Sequence, residues 1–111
     1  MLTIEGLKEL GVNVEEGLTR CMNNEAFYLR LANMALGDEN FSNLHAAIEA
    51  GDLDRGFECA HALKGMLGNV SLTNVLAPVL EMTEALRARE QRDYGPLLAQ
   101  MDAELEKLKA L

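Results

Sequence analysis

The chain has 111 residues, 49% of them hydrophobic and 25% charged, with a formal net charge of −8 and a pI near 4.7. That length supports a single helical core and not two. Acidity on this scale argues against nucleic acid or an anionic membrane surface as a partner, so any anion must be recognised locally.

In chain order, Leu2, Ile4, Leu7 and Leu10 predict a short first helix stopped by Gly11. Asn13-Val14-Glu15-Glu16 reads as a cap followed by acids in a first turn, and a brief helix through Leu18 and Met22 follows. Asn23-Asn24 marks a turn. From Glu25, the positions Phe27, Tyr28, Leu31, Met34 and Ala35 repeat at helical spacing and end near Gly37-Asp38. Phe41, Leu44 and Ile48 predict the inner stripe of the next helix, closed by Gly51.

A longer helix is expected over Leu53–Val70, after the turn-and-cap signal Gly51-Asp52. A tight link around Ser71 then reverses the chain, because Leu72, Val75, Leu76, Val79, Thr83 and Leu86 start a new stripe at once. Pro78 lies inside that segment, removes a hydrogen bond to Asn74 and is expected to bend it. Pro96 fits the first turn of a last helix carrying Leu97, Met101, Leu105 and Leu108. Short links between amphipathic helices favour antiparallel neighbours, hence an all-α, up-down bundle over residues 1–111 as one domain.

Two cysteines, Cys21 and Cys59, have no metal-ligand spacing and read as free thiols of a reducing compartment. Met1-Leu2-Thr3-Ile4-Glu5 has no basic region, so no signal peptide is expected. No uncharged apolar run approaches the about 20 residues of a membrane span. A cytoplasmic chain is the expectation.

The stretch that carries chemistry is Ala60 to Asn69. Wound as a helix, it puts Cys59, Ala60, Leu63, Met66, Leu67 and Val70 on one side, and His61, Lys64, Gly65 and Gly68 on the other. Two glycines inside a helix cost about 1 kcal/mol each relative to alanine, and solvent does not ask for them. Bare backbone beside an imidazole lets another molecule approach closely, and Lys64 places a positive charge where an anion would sit. Taken alone, the same residues also fit a surface histidine with glycines that serve tight packing within the chain.

The run His61-Ala62-Leu63-Lys64-Gly65, followed by Asn69 and preceded by Ala47-Ile48-Glu49-Ala50-Gly51-Asp52, resembles the signature of histidine-containing phosphotransfer (Hpt) domains. The resemblance covers about residues 10–90. It implies a four-helix bundle with additional short N-terminal helices. It also implies a phosphocarrier, not an enzyme, of a two-component phosphorelay. The phosphoryl group would sit on His61, with Lys64 offsetting its charge and Gly65 giving access. The expected partners are response-regulator receiver domains and a hybrid or sensor histidine kinase. No cofactor is expected on this chain; Mg²⁺ would belong to the receiver, and a monomer is expected. The partner would cover His61, Lys64, Gly65, Gly68 and Asn69, flanked by Phe57. The family more often continues Asn69-Val70 with glycine, where this chain has Ser71, which puts the geometry of that turn in question.

An imidazole nucleophile also needs its other nitrogen held. In a hairpin turning near Ser71, His61 lies level with about Leu80 to Glu84; Glu81, Thr83 and Glu84 are candidates, and Thr83 is closest to the inward stripe. His45 lies beside an apolar stripe without a lysine or glycine pair and reads as structural. Met34, Met66 and Met101 fit apolar stripes, so core packing accounts for them. Glu58 and His61 have one copy of an i, i+3 metal pattern, where a di-iron site needs two, so no metal site is expected. The rival functions are a helical docking scaffold without phosphoryl chemistry, a metal-binding bundle, and the phosphoacceptor domain of a chemotaxis-type kinase.

Overall fold

The computed structural model describes all 111 residues and contains seven α-helices and no strand: α1 (Ile4–Glu9), α2 (Val14–Arg20), α3 (Glu25–Leu36), α4 (Asn40–Glu49), α5 (Leu53–Asn69), α6 (Thr73–Arg87) and α7 (Gly95–Lys109). Local chemistry explains most of the starts. Thr3, Asn13, Asn24 and Asp52 each cap a helix by accepting a backbone N–H through the side-chain oxygen. Gly11 (φ +81°) and Gly51 (φ +72°) take the left-handed backbone that reverses the chain after α1 and α4.

Helices α4 to α7 form the up-down bundle, with α5 packed between α4 and α6, and α6 against α7. The link from α4 to α5 spans residues 50–52 and that from α5 to α6 residues 70–72, too short for anything but antiparallel neighbours. Leu63 and Leu67 of α5 meet Leu72, Val75, Val79, Met82 and Leu86 in the interior. Each fully buried leucine contributes on the order of 1.5–3 kcal/mol. Gly56 lets α6 come close, since a Cβ there would lie 3.3 Å from Leu86 Cδ2. Helix α6 continues through the buried Pro78 from Thr73 to Arg87. Helices α1 to α3 pack onto the bundle so that one hydrophobic cluster includes side chains from all seven helices.

Two expectations change: α2 ends at Arg20, which leaves Met22 outside it at φ +57°, and the inner stripe of α3 shifts. On α3 the buried stripe is Tyr28, Ala32, Ala35 and Leu36; Met34 is 66% exposed, not a core residue. Small Ala32 and Ala35 let α3 lie close to the bundle, and the Tyr28 hydroxyl donates to the Val70 carbonyl at 2.9 Å, which sets the rotation of the helix. The link at Ser71 adopts φ +52°, the conformation that favours glycine, without having glycine. Its hydroxyl donates to Glu16 Oε1 at 3.2 Å, and Asn74 Nδ2 donates to the Leu10 carbonyl at 2.7 Å. The turn therefore keeps its shape through side chains that reach α1, α2 and α3.

Candidate phosphoacceptor face

Helix α5 begins at Asp52, whose carboxylate accepts the Arg55 N–H at 3.1 Å, and runs for 17 residues, with His61 near its middle. Its buried side is Gly56, Cys59, Ala60, Leu63 and Leu67. The opposite side presents His61, Gly65 and Asn69 exposed, with Lys64 and Gly68 half-buried. Met66, at the boundary, is half-buried. Burial pushes the Cys59 thiol up from its ordinary range, so the sulfur behind the face stays protonated and inert.

The glycines are not explained by packing inside the chain. A Cβ built on Gly65 or Gly68 meets no other atom within 4 Å. Gly17 is the contrast: a Cβ there would overlap the ring of Tyr28. Intramolecular contact demands glycine at 17 and leaves 65 and 68 open to a surface from outside.

Lys64 forms no ion pair, although carboxylates pair with arginines elsewhere on the surface. An unpaired ammonium one turn from an exposed imidazole is a local positive charge on an otherwise acidic protein. Neither ring nitrogen of His61 takes part in an intramolecular hydrogen bond. Its ring instead stacks on Phe57, four residues earlier, with centroids 5.5 Å apart and planes at 21°. The Arg87 guanidinium lies 5.0 Å from the centroid of the same Phe57 ring, and Arg87 Nε is 3.5 Å from Glu84. Exposed aromatic and cation–π contacts of this kind contribute about 0.5–1 kcal/mol each.

Thr83 does not hold the imidazole. It is fully buried, and its hydroxyl donates to the Val79 carbonyl one turn back at 2.7 Å. The inward stripe on which it lies faces the core, whereas His61 faces outward. Glu81 pairs with Arg92 at 3.6 Å and Glu84 with Arg87, so neither alternative carboxylate is bonded to His61. Sequence reasoning missed the Phe57–His61 stack, although i, i+4 spacing on one helix carries that signal. It missed Arg87 too, which comes from another helix. His45 lies on α4, with Nε2 2.9 Å from Asp102 Oδ1 of α7. No three His, Cys, Asp or Glu side chains converge as a metal site.

A helical bundle that offers an exposed imidazole, a free ammonium and bare backbone on one outward face, instead of lining a cleft, has the build of a group carrier that meets its reaction partner surface to surface. Residues 34–111 match the family model of the Hpt domain, and the chain belongs to that family. The match takes in all of α4 to α7 and the last turn of α3. Searches of curated proteins and of solved structures each returned no match. Hpt domains are phosphocarriers of phosphorelays, taking a phosphoryl group on histidine and interacting with receiver domains and kinases. No helix of this chain is long and apolar enough to cross a membrane.

Proposed function

We propose that this protein carries a phosphoryl group on His61 between the aspartates of receiver domains, with residues 1–111 acting as one monomeric unit in the cytoplasm. The observation that carries the reading is the shared outward face of His61, Lys64, Gly65 and Gly68, where nothing in the chain covers the glycines. A ring-nitrogen lone pair attacks the phosphorus of an aspartyl phosphate. The N–P bond forms as the P–O bond breaks, and that electron pair leaves on the aspartate carboxylate; the proton on the other ring nitrogen stays in place. Lys64 offsets the charge on the phosphoryl oxygens. Mg²⁺ and the remaining catalytic groups belong to the receiver, so positioning is the main contribution of this chain. Gly65, Gly68 and Asn69 form the seat of the partner, and a hybrid or sensor kinase lies upstream.

The test is phosphotransfer from receiver domains of the host, each phosphorylated with radiolabelled acetyl phosphate, to wild type and to His61→Gln. Alkali-stable, acid-labile label on wild type alone establishes both the carrier and its site. No label from a broad panel of receivers overturns the reading and leaves a docking scaffold. The open glycines taken without His61 and Lys64 fit that second reading, since it requires close approach and no chemistry.

A further inference from the structure

We propose that Phe57 is the positioning residue of His61: it fixes the imidazole by its face, in place of a hydrogen bond to a ring nitrogen, and Arg87 of α6 holds Phe57 in turn. An exposed histidine in mid-helix retains several χ1 wells and a broad χ2, so without a restraint its nucleophilic nitrogen sweeps a wide arc. The groups that would ordinarily restrain it are occupied. Thr83 is spent on Val79, Glu81 on Arg92 and Glu84 on Arg87, and no hydrogen bond reaches either nitrogen. Phe57 occupies the position one turn before His61, half-buried, with its ring nearly parallel to the imidazole at 5.5 Å. The guanidinium of Arg87, 5.0 Å from the Phe57 centroid and itself anchored at Glu84, limits the Phe57 rotamer from the neighbouring helix. A stacked ring leaves both nitrogens unobstructed at the ring edge. One can then attack while the other keeps its proton in water. Phe57 thereby acts on the transfer step and not as a seat for the partner.

The functional half of this inference rests on His61 as phosphoacceptor; the structural half does not. The variants are Phe57→Leu, which keeps apolar bulk at a half-buried site, and Phe57→Tyr, which keeps the ring. The first readout is the proton NMR spectrum of the imidazoles in the intact chain. His61 resonances move downfield in Phe57→Leu, as the ring current is lost, and return in Phe57→Tyr. His45, held at Asp102, stays fixed as the internal control. The second readout uses a receiver that labels wild type. Phe57→Leu slows transfer at saturating receiver by about two- to tenfold, with the receiver Kd unchanged, and Phe57→Tyr restores it. Unchanged His61 resonances in Phe57→Leu overturn the stacking restraint. A weakened Kd with unchanged transfer at saturation overturns the positioning role and makes Phe57 a docking residue. A wild type that takes no label defeats the carrier reading, while the NMR result still decides whether Phe57 holds the ring.

Discussion

The hydroxyl of Tyr28 on α3 donates to the carbonyl of Val70, the residue that closes α5, across 2.9 Å of buried interior. The helix bearing His61 is thus anchored at its C-terminus by a side chain 42 residues earlier in the chain. Tyr28→Phe leaves that carbonyl without this donor and lowers stability by about 1–2 kcal/mol, read as a lower urea midpoint with unchanged m-value. Burial, with Cys21 adding to it, pushes the Tyr28 phenol up to about 12 from its ordinary 10.0. The phenol is neutral when protonated, so its contribution is full below pH 10 and is lost as pH rises through about 12. Wild type loses stability over that alkaline window, and Tyr28→Phe loses less. Tyr94 is shifted upward as well, chiefly by burial, so part of the alkaline loss remains in the variant.

Gly65→Leu and Gly68→Leu fold normally, because a side chain at either site meets open space. Their melting temperatures equal or exceed that of wild type, since replacing a helix glycine recovers up to about 1 kcal/mol. Phosphotransfer falls by at least about tenfold, since the bulk displaces the partner from His61. Normal folding with unchanged transfer removes the access role of the glycines. Gly17→Ala behaves in the opposite way, losing about 1–3 kcal/mol of stability through overlap with the Tyr28 ring.

Ser71 separates backbone strain from side-chain bonding. Ser71→Ala keeps a left-handed backbone and loses the hydroxyl that meets Glu16, so it loses about 1 kcal/mol. Ser71→Gly also loses the bond but relieves the strain, and its denaturation midpoint stays near that of wild type. If the two variants lose stability equally, the left-handed turn carries no strain.

His45→Gln provides the control for the acceptor. The His45–Asp102 pair links α4 to α7 with both side chains more than a third exposed, at 42% and 47%, so its loss changes stability by no more than about 1 kcal/mol. Labelling of this variant equals wild type. Loss of label in His45→Gln with retention in His61→Gln would exchange the roles of the two histidines.

Much of this architecture is written locally and is therefore legible. The caps at Asn13 and Asp52, the reversals at Gly11 and Gly51 and the two sides of α5 all depend on residues within a few positions of one another. The errors come from contacts distant in sequence. Thr83 is correctly read as inward, but it is fully buried and bonded to Val79 while His61 is exposed on the outward side of α5. The partner of Ser71 lies 55 residues away at Glu16, so a turn that departs from the family pattern offered no sign of its compensation. On α3, Phe27 and Tyr28 are adjacent aromatics that both fit the predicted stripe; Tyr28 is the buried one, and its hydroxyl finds a partner in the distant Val70 carbonyl.

The side-chain bonds from Glu16 and Tyr28, with the Leu10 carbonyl, hold the α5–α6 turn from outside the stretch that matches the family. The bundle is consequently not a portable cassette. Grafted behind a foreign leader, residues 34–111 would carry a left-handed serine, an unmet carbonyl at Val70 and an idle amide at Asn74. A chimera recovers these bonds only if its new N-terminal half supplies a carboxylate, a phenol and a helix-end carbonyl at those three places.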